Sequence, residues 1–92
     1  MNKYEFEWDL RKEKINVKKH RVDFYIAQYA FMDPNRKIFI DQKHSEDEER
    51  FFCIGKVNNK ILTVRFTFRN NKVRIIGAGY WRKGINYYEE NR

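Results

Sequence analysis

The chain has 92 residues, 41% of them hydrophobic and 17% aromatic, and its 20 Lys and Arg against 13 Asp and Glu give a net charge of +7. These values predict one folded domain, residues 1–92, and the basic charge favours a polyanionic partner, either nucleic acid or an acidic protein. The single cysteine, Cys53, excludes an internal disulfide and a cysteine metal cluster, and no apolar run reaches the roughly 20 residues of a membrane span.

The first third of the chain predicts a strand and two helices. Aromatic and acidic residues alternate over residues 4–8, which indicates a short strand with one buried face. Asp9 suits the N-cap of a basic helix over residues 10–19, and Asp23 suits the N-cap of a second helix that must end at Pro34. The apolar stripe of the second helix consists of Phe24, Ala27 and Phe31.

The remaining two thirds predict an antiparallel β-meander. The strands cover residues 38–40, 49–57, 60–69 and 72–80. Two Asn-Asn pairs, at 58–59 and 70–71, predict two-residue hairpin turns, because asparagine tolerates left-handed backbone. Residues 85–92 form either a short terminal helix or a frayed tail. The predicted fold class is α+β, with an N-terminal strand and two helices packed on the meander.

The two turns fix the register of the hairpins and divide the side chains between two faces. Ile54 is then paired with Thr63 and Phe52 with Arg65. The face on which the two helices pack collects Phe51, Cys53, Leu62, Val64, Phe66, Phe68, Val73 and Ile75. In this apolar setting Cys53 is predicted to be a small buried hydrophobe.

The opposite face concentrates positive charge. Arg50, Thr67 and Arg74 form one row across three strands, and Arg65 and Arg69 lie on either side of Thr67 on the middle strand. Four arginines this close repel one another unless something anionic lies among them. The arginine fork suits phosphate oxygens, so we favour a phosphate-binding surface over a merely solvated face.

Three further residues carry possible proton-transfer or phosphate chemistry. His44 lies in a charged run, residues 41–50, and histidine can exchange a proton near neutral pH. The run lacks metal-ligand spacing, so no metal site is predicted. Lys19 and His20 end the first helix, where cations complement the helix dipole; contact with nucleic-acid phosphate is a second interpretation.

A series of motifs along nearly the whole chain closely resembles the BrnT toxins. These motifs, in order, are Phe6-Glu7-Trp8-Asp9, Lys12, Asn16, Lys19-His20, Val22, Phe24, Phe31-x-Asp33-Pro34, His44-Ser45-Glu46, Glu48-Glu49-Arg50, Ile54-Gly55, Thr67-x-Arg69 and Arg74-Ile75-Ile76. Order and spacing match together, which makes the resemblance more specific than a single motif.

The resemblance implies a RelE-like fold and a cytoplasmic, metal-independent endoribonuclease that cleaves mRNA and needs no cofactor. It also implies a type II toxin–antitoxin system with a BrnA-like antitoxin. In such a system the antitoxin dimer binds operator DNA, and the toxin–antitoxin hetero-oligomer represses its own promoter. RNA is then the substrate, and the toxin reaches DNA only through the antitoxin.

Metal-free cleavage of RNA needs cations around the phosphate and a group that moves protons. With the resemblance, the predicted phosphate-binding set consists of Arg50, Arg69 and Arg74, together with Arg65 and Thr67. The predicted proton-transfer set consists of Lys19, Glu49 and either His20 or His44.

The sequence departs from the resemblance at Gly79, where many family members carry an arginine. Arg82 could supply that cation, beside Lys83, and Tyr80 or Trp81 could stack on an unpaired base. Equally, Trp81 could fill one end of the core while the glycines only let the chain turn. The departure keeps a second function open, a catalytically impaired domain that binds RNA or the antitoxin within an autoregulatory complex.

Overall fold

The computed structural model describes residues 4–91 and has an α+β fold, as the sequence predicts. The elements in chain order are β1 (Phe6–Trp8), α1 (Leu10–His20), α2 (Phe24–Ala27), a 3₁₀ turn (Gln28–Met32), β2 (Lys37–Ile40), a second 3₁₀ turn (Gln42–His44), β3 (Arg50–Val57), β4 (Lys60–Arg69), β5 (Lys72–Gly79) and α3 (Arg82–Glu90). The predicted C-terminal segment is therefore a helix, and its last residue, Arg92, lies outside the described residues.

Both predicted N-caps are present. The Asp9 carboxylate accepts hydrogen bonds from the Arg11 and Lys12 amides, and the Asp23 carboxylate accepts one from the Ile26 amide. Hydrogen bonds from the backbone hold the pKa of Asp9 below its ordinary value. The second helix is α-helical only to Ala27 and continues as a 3₁₀ turn, which is a tighter coil than the predicted amphipathic helix.

The two asparagine turns confirm the predicted register. All four asparagines have positive φ, between 51° and 67°. β3 and β4 pair antiparallel, as do β4 and β5, so Thr67 lies between Arg50 and Arg74. A register shift follows between Arg65 and Phe66, so that Arg65 lies opposite Gly77.

The sheet is mixed and not wholly antiparallel as predicted. Its five strands lie in the order β1-β5-β4-β3-β2, and β1 pairs with β5 in parallel, with Phe6 opposite Val73. Local alternation indicates that residues 4–8 form a strand, but the partner of that strand is decided by packing of distant parts of the chain. The likeness to RelE remains a prediction.

Helix α1 lies beside β5 beyond the point where β1 ends. The buried side chain of Asn16 accepts a hydrogen bond from the Ala78 amide at 3.1 Å and donates one to the Ala78 carbonyl at 2.9 Å. It thereby satisfies two backbone groups of β5 that have no strand beside them. The same amide group also bonds the Val22 carbonyl and so fixes the connection between α1 and α2.

The main core lies between the helices and one face of the sheet, and it contains seven of the eight predicted positions. Cys53 is fully buried, and burial raises the pKa of its thiol to about 12, which confirms it as a structural residue. Phe68 is the exception, because its side chain is 53% exposed. It lies at the end of β4, where its ring meets the rings of Phe51 and Phe66 edge to face.

Helix α3 covers half of the opposite face, which the sequence left open. Ile54, Ile61 and Tyr88 form a second buried cluster, and Thr63 is buried beneath Gly84 of α3. The side chains of Ile61 and Thr63 are therefore not on an open polar surface. The part of this face that carries Arg50, Arg65 and Arg74 stays partly accessible, and it positions the candidate site.

A carboxylate anchors α3. The Tyr88 hydroxyl donates to Asp33 Oδ2 at 2.6 Å, and the Lys56 amide donates to the same oxygen at 2.7 Å. Burial alone raises the pKa of Asp33, but the hydrogen bonds from Tyr88 and from the amides of Lys56 and Asn35 hold it below its ordinary value. The ionised form of Asp33 therefore joins α3 to the start of β2 and to β3.

Candidate active site

A cleft of about 510 Å³ opens where β3 begins and β4 ends. Its lining residues are Lys43, His44, Glu46, Asp47, Glu48, Arg50 and Arg69. Three of them, His44, Arg50 and Arg69, are site residues predicted from the sequence. The structure therefore brings a titratable imidazole and two guanidinium groups to one accessible surface.

The loop between β2 and β3 is folded back so that His44 lies beside the start of β3. The Ser45 hydroxyl donates to the Asp41 carbonyl at 2.6 Å and accepts from the Arg50 amide at 2.9 Å. The Asp41 amide also bonds the Arg50 carbonyl at 2.7 Å. These bonds close the loop at its base and hold the 3₁₀ turn of His44 against the cleft.

His44 is held from one side only. Its Nδ1 lies 2.9 Å from Oδ2 of Asp41, a residue that is 6% exposed. The His44 side chain itself is half exposed and lines the cleft. The imidazole therefore has one nitrogen engaged by a buried carboxylate and one nitrogen left for a ligand.

Two of the four clustered arginines form ion pairs with carboxylates of the same chain. Arg69 contacts the Glu48 carboxylate at 3.0 Å, and Arg74 contacts the Glu7 carboxylate of β1 at 3.1 Å. The predicted repulsion is thus relieved internally at these two positions. Within residues 4–91, the guanidinium of Arg50 forms no ion pair. Arg50 is therefore, like the exposed Lys43, a cation of the cleft that is ready for an external anion.

Three other predicted site residues, Arg65, Thr67 and Glu49, differ in their exposure and in their partners. Arg65 is half-buried on the middle strand and has no ion pair among the described residues. Thr67 is 2% exposed, and its hydroxyl donates to the Glu49 carbonyl at 2.6 Å. Thr67 thus fixes the backbone just before Arg50 and does not offer its hydroxyl to a ligand. The Glu49 side chain is exposed.

The other predicted site residues lie at the far end of the sheet. They are Lys19, His20, Tyr80, Trp81, Arg82 and Lys83. The row of Thr63 and Gly79 marks this end, and it lies four residues of β4 from Thr67, or about 13 Å. The structure therefore does not bring His20 or Arg82 into the cleft.

Two aromatic rings organise this far end. His20 is half-buried and meets Trp81 edge to face, with ring centroids 5.0 Å apart. Tyr80 is 39% exposed, and the Lys60 ammonium lies 5.5 Å from its ring centroid. Arg82 and Lys83 are exposed in the first turn of α3. This end is basic and carries one accessible aromatic ring.

Gly79 makes room for Trp81 and does not serve to turn the chain. No glycine among residues 4–91 has positive φ, and Gly79 continues β5. A Cβ atom at this position would lie 2.9 Å from two atoms of the Trp81 indole, closer than side-chain carbons pack. An arginine at position 79 is therefore incompatible with the indole as it lies here.

This contact predicts a coupled stability effect. Gly79→Ala is expected to lower the free energy of unfolding by roughly 1–3 kcal/mol, because the new methyl group overlaps the Trp81 ring. In a Trp81→Ala background, the same change is expected to cost much less. Urea denaturation of the four proteins measures the coupling. Equal costs in the two backgrounds would contradict the assignment of Gly79 to Trp81.

Among residues 4–91, no group of three or more His, Cys, Asp or Glu side chains is arranged to hold a metal ion. In the same range, every helix is too short or too polar to cross a membrane.

The sequence does not reveal which carboxylates bind the site residues. These carboxylates are Glu7, Asp41 and Glu48. Asp41 has a weak signal, because it precedes His44 by three residues, the spacing of neighbours on a single helical turn. Glu7 meets Arg74 only through the register of β1 with β5, which no local pattern reveals.

Comparison with known proteins identifies the family of this chain. A search of the curated proteins finds no match. The sequence model of one protein family, described as the ribonuclease toxin BrnT of type II toxin–antitoxin systems, matches residues 8–84. This range includes the cleft and the basic row, and it covers most of the described chain. The chain belongs to the BrnT family of ribonuclease toxins.

Proposed function

We propose that residues 1–92 form a single cytoplasmic toxin domain that cleaves mRNA without a metal ion and so blocks translation. The observation that carries this proposal is the cleft in which His44, Arg50 and Arg69 meet. The family match supports ribonuclease activity, and the cleft supplies the groups that metal-free cleavage needs.

The proposed reaction is an internal transfer at phosphorus. The ribose 2′-oxygen attacks the adjacent phosphate in line with the 5′-oxygen of the next nucleotide. His44 Nε2 takes the proton of the 2′-hydroxyl as the new O2′–P bond forms. The P–O5′ bond breaks, and the leaving 5′-oxygen takes a proton from water. The hydroxide that remains takes the proton back from His44, which returns the imidazole to its neutral form. The products are a 2′,3′-cyclic phosphate and a free 5′-hydroxyl. The reaction involves no oxidation or reduction.

The arginines stabilise the charge that develops on the phosphate oxygens. Arg50 acts directly, because it has no ion pair among the described residues. Arg69 exchanges Glu48 for a phosphate oxygen; both side chains are partly exposed, and such ion pairs contribute less than about 1 kcal/mol. Arg65 and Arg74 extend the positive surface along the strands and contact phosphates beside the cleaved one.

The basic far end holds RNA that leaves the cleft. Lys19, Arg82 and Lys83 are exposed there, and Tyr80 presents a ring on which an unpaired base can stack. In this proposal Arg82 contributes binding, and it makes up in part for the arginine that Gly79 replaces. Trp81 and His20 form the packed support of this end.

The partner of the toxin is proposed to be a BrnA-like antitoxin. Membership of a type II toxin–antitoxin family implies an antitoxin. We propose that its dimer binds operator DNA, that the toxin reaches DNA only through it, and that the hetero-oligomer represses its own promoter.

One observation favours a second candidate, a binding domain without catalytic activity. Trp81 occupies the space above Gly79, so the arginine that many relatives carry there is absent. Arg69 and Arg74 are also held by carboxylates in the free protein. In this second proposal, the domain binds RNA or the antitoxin and does not cut.

Cleavage of a defined RNA by the purified, antitoxin-free protein in EDTA tests the two proposals. The wild-type protein is expected to cut, and Arg50→Ala is expected to lower the cleavage rate by roughly 10²–10³-fold, the loss typical of one oxyanion-stabilising group. Arg82→Ala is expected to raise the KM for RNA with little change in kcat. Arg11→Ala removes an exposed arginine in the first turn of α1 and serves as the control.

The outcomes separate the candidates. Binding of RNA by a folded wild-type protein that never cuts would support the binding domain. A folded Arg50→Ala protein that cuts as fast as wild type would contradict the proposed role of the cleft.

A further inference from the structure

We infer that Asp41 is a positioning residue for catalysis: it holds neutral His44 in the tautomer that carries its proton on Nδ1, so that Nε2 is free to accept a proton in the cleft. This inference rests on the proposed ribonuclease function. It adds the residue that gives His44 the correct tautomer and orientation.

The geometry of the pair is that of an oriented imidazole. His44 Nδ1 and Asp41 Oδ2 are 2.9 Å apart, within ordinary hydrogen-bond distance. The Asp41 side chain is 7% exposed, whereas the His44 side chain is 50% exposed. The carboxylate therefore lies at the closed side of the ring, and the rest of the ring faces the cleft that Arg50 and Arg69 also line.

Asp41 is itself fixed by backbone hydrogen bonds. Its amide donates to the Arg50 carbonyl, and its carbonyl accepts from the Ser45 hydroxyl and, at 3.3 Å, from the His44 amide. The backbone groups thus hold the loop closed without help from the carboxylate. Among the described residues, His44 is the only hydrogen-bond partner of the Asp41 carboxylate.

This arrangement favours a functional role over a stabilising one. A buried carboxylate loses hydration, and a single bond to a half-exposed imidazole is a poor replacement for it. An ionised carboxylate can only accept hydrogen bonds, so the ring nitrogen facing it must donate. Neutral His44 then carries its lone pair on Nε2, the nitrogen away from Asp41.

The chemical consequence concerns both protonation states of the ring. Before cleavage, Nε2 is unprotonated and can take the 2′-hydroxyl proton. After that transfer, the adjacent carboxylate stabilises the positive imidazolium while remaining ionised itself. Asp41 touches neither RNA nor the reacting phosphate in this scheme, and it acts only through His44.

The tautomer of His44 can be measured directly, because the chain has only two histidines. Long-range ¹H–¹⁵N correlation spectra of ¹⁵N-labelled protein distinguish the two neutral tautomers, and a His20→Gln variant assigns the signals. We expect the Nδ1–H form for His44 in wild type and loss of that preference in Asp41→Asn. Asp47→Asn makes the same charge change at a residue that lines the cleft with His44, and it is expected to leave the tautomer unchanged.

Steady-state kinetics complete the test. Asp41→Asn is expected to lower kcat by roughly 10–10⁴-fold with the KM for RNA unchanged, a range that spans the losses seen for partners of metal-bound imidazoles and for the carboxylate that orients a catalytic histidine. An unchanged His44 tautomer in Asp41→Asn would overturn the inference, as would a changed tautomer with unchanged kcat. The spectra need no RNA, so they test the Asp41–His44 tautomer separately from catalysis. Wild-type protein that shows the Nδ1–H tautomer but fails to cut would overturn the proposed function and, with it, the catalytic role of Asp41. A wild-type protein that cuts without this tautomer would overturn the inference alone.

Discussion

His44→Ala is expected to lower the rate of RNA cleavage by roughly 10²–10⁴-fold, the contribution typical of one positioned acid–base group. The side chain is half exposed in the cleft, so its removal leaves no cavity in either core. The loss should therefore fall on kcat, while the melting temperature stays close to that of wild type. Single-turnover cleavage of a short RNA at saturating protein measures the chemical step.

His20→Ala is the matched control, because it removes the other histidine of the chain. His20 packs against Trp81 at the far end of the sheet, and this end lies about 13 Å along β4 from the row of Arg50, Thr67 and Arg74. Its loss is expected to affect stability more than cleavage. If His20→Ala abolished cutting while His44→Ala did not, the site would have to be moved to the far end.

Gly55→Ala is expected to lower the free energy of unfolding by about 3 kcal/mol, the upper end of the usual cost of overpacking. A Cβ atom at this position of β3 would overlap the Ala30 carbonyl oxygen, and the next nearest atoms are also Ala30 backbone. Backbone cannot rotate aside as a flexible side chain can. For a domain of this size, the expected fall in Tm is roughly 12–24 °C, measured by thermal denaturation.

Gly77→Ala provides the control for that change. Gly77 is also buried in the sheet, but the nearest atom to its added Cβ would be Asn16 Oδ1 at 3.6 Å, an ordinary contact. Its Tm is expected to stay near that of wild type. Equal losses of stability in the two variants would show that the cost comes from replacing a strand glycine and not from the contact with Ala30.

The row of Arg50, Thr67 and Arg74 could be predicted, because the turns that set its register are visible in the local sequence. Two Asn-Asn turns fix the register of three strands, and register alone places Arg50, Thr67 and Arg74 side by side. Alternation along β4 then adds Arg65 and Arg69. None of these placements depends on how the helices pack.

The partners of the site residues could not be predicted, because they depend on distant contacts. Arg74 meets Glu7 only after β1 has joined the edge of β5, and that pairing follows from packing of the aromatic side chains of β1 in the main core. His44 meets Asp41 only after the loop before β3 has closed. Composition also gives no sign that α3 buries Thr63, because the close fit depends on Gly84 lying directly over it.

The pairing of β1 with β5 has a consequence for how the toxin is made. On the ribosome, β1 is synthesised before the other four described strands, yet among these strands its neighbour in the sheet is β5, which is synthesised after them. Small domains of this kind fold cooperatively, so a nascent chain that lacks β5 cannot hold the native cleft. If the proposed cleft is the active site, we therefore expect the growing chain to be unable to cut RNA until β5 has been synthesised and has paired with β1. An antitoxin is then needed to restrain the toxin only from that point of translation onward.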